Sequence, residues 1–166
     1  MNKIKFTIAA MLCLTLLLPL SHAAQLSIDN YTFIWHVAKV GNVSFEIVKE
    51  TNRTGVLLGS FGGKVSQLFI SPAEGKAIAE ALLKSEEYYE KYKKRVDGES
   101  SDSIKAGTFR VTFSSEESGR NFMVQIAEQK LFSLAVSLKK DEVADIANYL
   151  MKAEEMAAFV DKRIKP

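Results

Sequence analysis

Apolar residues recur at every second position along several short stretches of the chain. A period of two is typical of a strand with one buried face. The stretches are residues 43–47, 56–58 and 68–70 in the first half, and 109–113, 122–126 and 132–138 in the second. Residues 31–37 predict an opening strand in the first half, and a fainter pattern near Ile104 predicts its counterpart in the second. The alternation therefore predicts four strands in each half.

Apolar residues at helical spacing follow the strands of each half. They are Ile78, Leu82, Tyr89 and Val96 in the first half, and Ile146, Leu150, Ala153, Ala157, Val160 and Ile164 in the second. The run from Ser71 to Glu74 predicts the start of the first helix, with Pro72 at its first position and a capping box in which the Ser71 hydroxyl accepts the Glu74 backbone N–H. We predict one long helix at the end of each half.

The two halves align with each other, without a gap, at a shift of 68 residues. Residues 43–45 fall on 111–113, and residues 82–87 fall on 150–155, with the same hydrophobic phase. Such self-similarity indicates a supersecondary unit that is built twice and packed on itself. The predicted fold class is α+β, with tandem ββββα repeats whose antiparallel sheets each precede a long helix. The first repeat spans residues 24–96, a polar linker spans 97–103 and the second repeat spans 104–166.

Residues 1–23 have the pattern of a signal peptide. Lys3 and Lys5 form a basic start, residues 8–20 form a short apolar run, and Ser21-His22-Ala23 offers small residues for cleavage after Ala23. The apolar run is too short for a confident transmembrane helix, which disfavours the alternative of a retained membrane anchor. We expect an exported chain, periplasmic or secreted, with no transmembrane span once the leader is removed.

Removal of this leader would change the composition of the chain. The sequence has 22 basic and 20 acidic residues, and the two leader lysines account for the whole excess. The single cysteine, Cys13, would also leave, so no disulfide is expected and stability must come from a hydrophobic core. His36 would be the only remaining histidine.

Residues 119–126, Gly-Arg-Asn-Phe-Met-Val-Gln-Ile, resemble the Gly-Arg-aromatic strand that follows the first hairpin of PUR repeats. The run Val136-Ser137-Leu138 before Glu142 is similar to the strand-to-helix junction of that group, and tandem ββββα units also resemble the Whirly and PC4-like folds. The resemblance implies two interleaved repeats that form a pseudo-dimer, and binding of single-stranded nucleic acid. Single-strand binding needs cations and aromatic platforms, and on the chain itself the candidates for contact with nucleic acid or a partner are Arg53, Phe61, Lys64, Arg110 and Arg120.

Charge opposes the nucleic-acid interpretation. Single-strand binders combine a positive groove with stacked aromatic rings, whereas this chain without its leader would carry no net charge. The outward positions of the last two strands are small and neutral: Met123, Gln125, Ser133, Ala135 and Ser137. Such a face suits a protein contact, either between the two repeats or with another chain. Both alternatives remain open from the sequence.

No motif for catalysis or metal binding stands out. His36 lies beside Trp35 in a predicted strand, no G-x-S-x-G turn presents a nucleophile, and no His/Cys/Asp cluster has the spacing of a zinc site. We therefore expect no cofactor and a non-enzymatic binding or interaction protein that contacts a protein partner or itself. Binding of single-stranded nucleic acid in the manner of PUR or Whirly proteins is the alternative.

Overall fold

The computed structural model describes residues 30–61, 66–96, 98–130 and 133–165. The predicted leader and Lys64 lie outside these residues. In the first repeat, four strands precede two helices: β1 Thr32–Val40, β2 Val43–Glu50, β3 Arg53–Ser60, β4 Ser66–Ile70, α1 Pro72–Leu82 and α2 Ser85–Lys93. The second repeat has β5 Ser100–Ala106, β6 Phe109–Ser115, β7 Met123–Glu128, β8 Ala135–Lys139, α3 Lys140–Met151 and α4 Ala153–Arg163.

The strands form two separate antiparallel sheets in sequence order, β1-β2-β3-β4 and β5-β6-β7-β8. This arrangement confirms the α+β fold class and the tandem repeat. The equivalent residues Ile78 and Ile146 are both fully buried. The two halves therefore bury matching side chains, as the alignment of the sequence with itself predicts.

Each repeat ends in two helices instead of the single long helix that the spacing predicts. The first pair is interrupted at Leu83 and Lys84, where the ψ angle of Lys84 is 0°, and the second pair at Lys152, where ψ is 5°. These values lie well away from the ψ of about −42° of a regular helix. Neither break contains glycine or proline, so the hydrophobic spacing runs through both without a visible interruption.

The second helix of each repeat packs on the sheet of the other repeat. Tyr88 and Tyr92 of α2 lie on β6, where the Tyr88 ring stacks on that of Phe113 with centroids 4.3 Å apart. In the opposite direction, Asp161 of α4 accepts hydrogen bonds of 2.6 Å from Lys49 and from Thr54 of the first sheet. The repeats are therefore interleaved.

A carboxylate near the start of α1 and of α3 contacts the first hairpin turn of the other repeat. Glu74 accepts hydrogen bonds from the backbone N–H and hydroxyl of Thr108, at the turn between β5 and β6. Glu142 lies against Gly41, at the turn between β1 and β2, where a Cβ atom would overlap its carboxylate. Gly41 has a φ of +55°, so both conformation and space favour glycine there.

The capping box that we predicted at Ser71 forms differently. Pro72 is the first residue of α1, as expected, but the Ser71 hydroxyl donates to the Glu74 carboxylate instead of accepting the Glu74 N–H. Because that carboxylate also binds Thr108, it is turned toward the second repeat.

The predicted linker over residues 97–103 is too long. The strand β5 begins at Ser100, and its residues pair with β6 from Ser100 opposite Ser115 onward. The segment has almost no apolar alternation because its contacts to α2 are polar, and the Asp102 carboxylate accepts hydrogen bonds of 2.8 Å from Lys91 and from Tyr92. Strand formation there depends on these tertiary contacts, which the local pattern does not reveal.

One hydrophobic core joins the two repeats. The helices α1 and α3 pack against each other at its centre, and Gly75 permits their close approach. A Cβ atom on Gly75 would lie 3.1 Å from the Ala153 Cβ and 3.1 Å from the Leu150 carbonyl oxygen. The largest fully buried side chains come from both sheets and both helix pairs: Phe45, Ile47, Leu58, Ile70, Ile78, Leu82, Tyr92, Phe109, Phe113, Ile126, Leu138 and Ile146.

Replacing Gly75 with valine should separate α1 from α3. We expect Gly75→Val to lower the free energy of unfolding by about 1–3 kcal/mol, because added methyl groups in a packed contact force side chains and backbone to move. Urea titration followed by circular dichroism would measure the change. Lys76→Val, at the adjacent exposed position, is the control for helix propensity alone. Equal losses in both variants would contradict the close packing at Gly75.

Acid should weaken the contacts between the repeats. Hydrogen bonds from Lys91 and Tyr92 lower the pKa of Asp102, and those from Lys49 and Thr54 lower the pKa of Asp161. Burial alone would raise the pKa of Glu74, but hydrogen bonds from Ser71 and Thr108 lower it overall. A carboxylate whose pKa is depressed by folding adds stability above its unfolded pKa of about 4, and this stability is lost as the pH falls through the folded value.

We therefore expect the urea midpoint to fall as the pH is lowered from about 5 to 2. Asp161→Asn should reduce the midpoint at pH 7 and make it less dependent on acid, because the asparagine does not titrate. Asp145→Asn, on the exposed side of α3, serves as the control. An unchanged acid dependence in Asp161→Asn would show that this carboxylate does not join the repeats.

Candidate functional site

The helices lie against one face of each sheet and leave the opposite face open. In the first sheet, Phe45, Ile47 and Leu58 point toward the helices and are fully buried. Side chains at the alternate positions belong to the open face, because successive residues of a strand point to opposite sides. The two open faces are regular surfaces, and they differ in chemistry.

The open face of the first sheet carries a connected apolar row. Leu57 pairs with Glu46 on one side and with Phe69 on the other. Ile34 lies on β1, two strands away from Leu57, where it pairs with Val48 of β2 and keeps 44% of its surface exposed. Leu57 and Phe69 are half-buried. The face therefore presents aliphatic and aromatic side chains to solvent.

Phe69 is held in position from two sides. Its ring lies over Gly55, where a Cβ atom would come within 2.6 Å of the Phe69 Cζ atom. The Arg53 guanidinium carbon lies 4.1 Å from the centre of the same ring. Because Gly55 leaves room and Arg53 stacks on the ring, Phe69 lies across the neighbouring strand.

Arg53 is also fixed by Glu50 across the β2–β3 turn. The Arg53 Nε and Nη2 atoms donate to the two Glu50 carboxylate oxygens at 2.6 Å and 3.2 Å. This pairing lowers the pKa of Glu50 and raises the pKa of Arg53. A forked pair orients the guanidinium plane, so Arg53 is a positioned group whose charge is largely compensated.

The open face of the second sheet is polar. Four residues paired across its strands form the central row: Ser103, Thr112, Gln125 and Ser137. Lys105 pairs with Arg110 at one end, and Met123 pairs with Lys139 at the other. The strands β7 and β8 thus carry on this face the small, neutral residues Met123, Gln125, Ala135 and Ser137 that the sequence predicts, and Lys139 adds a cation at the end of β8. The strands β5 and β6 add two adjacent cations.

The four candidate residues that the structure describes do not form one site. Arg53 lies on the open face of the first sheet and Arg110 on that of the second. Arg120 lies in the turn before β7, where it forms an ion pair of 2.7 Å with Glu117. Phe61 follows β3 with 40% of its surface exposed and lies near Gly59. Lys64 lies outside the described residues.

The apolar row was not predicted from the sequence, because the strands were located only by their alternation of apolar and polar residues. Val56-Leu57-Leu58 and Leu68-Phe69-Ile70 are uninterrupted apolar runs, and a run of this kind places apolar side chains on both faces of a strand. The alternating residues of these runs form the core, which leaves Leu57 and Phe69 on the opposite, open face. The unbroken runs were the signal that could have located the surface.

Other chemistry is sparse in the described part of the chain. His36 Nδ1 lies 2.9 Å from the Glu46 carboxylate on the open face, and the His36 side chain is largely exposed. Among residues 30–61, 66–96, 98–130 and 133–165, no cluster of three or more His, Cys, Asp or Glu side chains is placed to hold a metal ion. None of the helices in these ranges combines the length and the apolar character needed to cross a membrane.

Comparison with known proteins adds little to this picture. No protein family model matches the chain, and no curated protein matches it. Among solved structures, a protein of unknown function from the DUF155 family of Prochlorococcus sp. NATL2A is similar with a TM-score of 0.44 and 13% sequence identity. The alignment covers 71% of this chain and 96% of the other.

Proposed function

We propose that this chain is an exported, non-enzymatic binding protein that docks a protein partner on the open face of its first sheet. The observation that carries the proposal is the apolar row of Leu57 and Phe69, with Ile34 beside it and Arg53 stacked on the Phe69 ring at 4.1 Å. Export rests on the leader-like pattern of residues 1–23.

The second repeat provides an internal comparison for this surface. By the repeat alignment, Leu57 corresponds to Gln125 and Phe69 to Ser137. The polar residues at these positions in the second sheet show that the fold does not require an apolar open face. The apolar row is therefore a feature of the first repeat alone, and exposed apolar patches with a polar rim mark interaction sites.

The chemistry of the row suits a protein partner. Aromatic and arginine side chains near the centre of a contact carry a large share of binding energy, and here Phe69 and Arg53 are already ordered. Glu46, Glu50 and Gln67 lie around them as polar groups. Because the ring and the guanidinium are fixed before binding, little side-chain entropy is lost on docking.

Site-specific photocrosslinking can test this surface while the partner is still unidentified. A benzophenone amino acid at Leu57 should yield discrete covalent adducts in cells that express the full-length protein, whereas the same probe at Gln125 should yield few. The Phe69→Ser substitution in the Leu57 probe chain should reduce the adducts by about tenfold, in keeping with the loss of a central aromatic contact. Equal labelling from both faces would contradict the proposal.

Binding of single-stranded nucleic acid is the second candidate, and one observation favours it. Lys105 and Arg110 are adjacent cations on the polar open face of the second sheet, and Lys139 lies at its other end. The paired positions of that face carry hydroxyl and amide groups and no aromatic side chain on which bases could stack. The main source of affinity would have to be phosphate contacts.

An oligonucleotide titration distinguishes the two candidates. With two or three phosphate contacts at most, we expect a dissociation constant weaker than about 100 µM at physiological salt. Arg110→Ala should weaken any residual binding at low salt, and Arg53→Ala, on the other face, is the control. A nanomolar complex whose affinity falls steeply with salt would replace the protein-binding proposal with the nucleic-acid one.

A further inference from the structure

We infer that two copies of this chain associate through the free edge of β1, residues Thr32–His36, in antiparallel register about a two-fold axis. This inference goes beyond the proposed function, because it concerns the edge of the sheet and a second copy of the chain, and the two surfaces share only Ile34. It does not depend on whether the open face binds a protein.

One side of β1 is unpaired among the described residues. The strand is the first of its sheet and pairs only with β2. No other described backbone hydrogen bond joins it to a further element. A free edge presents unpaired N–H and C=O groups that can template the addition of another strand.

The two ends of β1 are protected to different degrees. The register shifts between His36 and Ala38, which marks a bulge, and Lys39 follows. Bulges and edge lysines are common devices against edge-to-edge pairing. The stretch Thr32-Phe33-Ile34-Trp35-His36 has no bulge, no proline and no lysine, arginine or acidic residue. Only this half of β1 is open to strand addition.

In the second sheet, the corresponding edge strand carries charged residues that disfavour strand addition. Its free strand β5 reads Ser-Ser-Asp-Ser-Ile-Lys-Ala, with Asp102 and Lys105 on it. Pairing of β5 with β6 begins at Ser100 opposite Ser115, whereas β1 continues past the equivalent pair by three further residues to Thr32 opposite Glu50. Three of the five unprotected residues, Thr32–Ile34, therefore belong to a part of the first repeat that has no counterpart in β5.

An apolar cavity lies beside this edge on the helix-covered side. It has a volume of about 290 Å³ and is lined by Trp35, Lys152, Glu155, Met156 and Phe159. The Trp35 and Phe159 rings lie 5.9 Å apart, and 51% of the Phe159 surface is exposed. On the other side of the strand, Ile34 is exposed. A strand added to β1 would cover apolar groups on both sides.

The charges beside the cavity favour a second copy of the chain as the occupant. Lys152 and Glu155 give the cavity lining one cation and one anion, so the net charge of the lining favours neither an acidic nor a basic peptide. Two-fold symmetry brings the same patch of each copy against the other, so that Lys152 of one copy can oppose Glu155 of its neighbour. The apolar residues likewise meet their own equivalents.

Association should be measurable by sedimentation velocity of the full-length protein over a concentration series. One strand and one cavity make a small contact, for which we expect a dissociation constant in the range of about 10–100 µM. Ile34→Lys should weaken the dimer by at least about tenfold, because it removes apolar burial and places two like charges across the axis. Ser103→Lys on the β5 edge and Leu83→Lys, at an exposed apolar position, should leave dimerisation unchanged.

Phe159→Gln is a second variant for the case that Ile34→Lys fails to fold. Phe159 lies on α4, outside the strand, so its substitution should weaken the dimer severalfold while the urea midpoint stays near that of the parent protein. Supporting results are a concentration-dependent dimer that Ile34→Lys or Phe159→Gln weakens and that both controls retain. A protein that stays monomeric up to about 500 µM, or a dimer that persists in Ile34→Lys and Phe159→Gln, would overturn the inference.

Discussion

The structure depends on the exchange of helices between the two repeats. Each sheet has an apolar face, and the helix that covers part of it comes from the other half of the chain: α2 with Tyr88 lies on β6, and α4 with Asp161 binds β2 and β3. An apolar sheet face that is left uncovered costs about 25 cal/mol for each Å². Neither repeat can bury its own sheet fully, so the two are stable only together.

This exchange places the four helices of the described residues on one side of the sheets and thereby leaves both open faces available. The chain can change these faces without disturbing the core, because alternate strand positions point away from it. The first sheet carries Leu57 and Phe69, and the second carries Gln125 and Ser137. Two scaffolds of the same topology therefore present an apolar surface and a polar one.

Much of the fold was predictable from the sequence because the core depends on periodicity. The alternation around Phe45 and Phe113, and the helical spacing through Ile78 and Ile146, locate the strands and helices. The crossing of the helices was not predictable from these patterns, since both sheets offer the same apolar face and either helix would satisfy either sheet. The polar start of β5 was also not predictable, because this segment depends on the hydrogen bond from Tyr92 of the other repeat to Asp102. On the functional side, the predicted site residue Arg53 stacks on the Phe69 ring, whereas the unbroken apolar runs at Leu57 and Phe69 were not interpreted from the sequence.

The position of α4 has a consequence for biosynthesis. The helix that completes the cover of the first sheet lies in the second repeat, so the strands of the first repeat wait for residues 153–163 before their apolar side is closed. Contacts such as Lys49 with Asp161 span more than 100 residues of chain, and closing so long a loop is slow. The first repeat therefore stays incompletely folded until residues 153–163 have been synthesised.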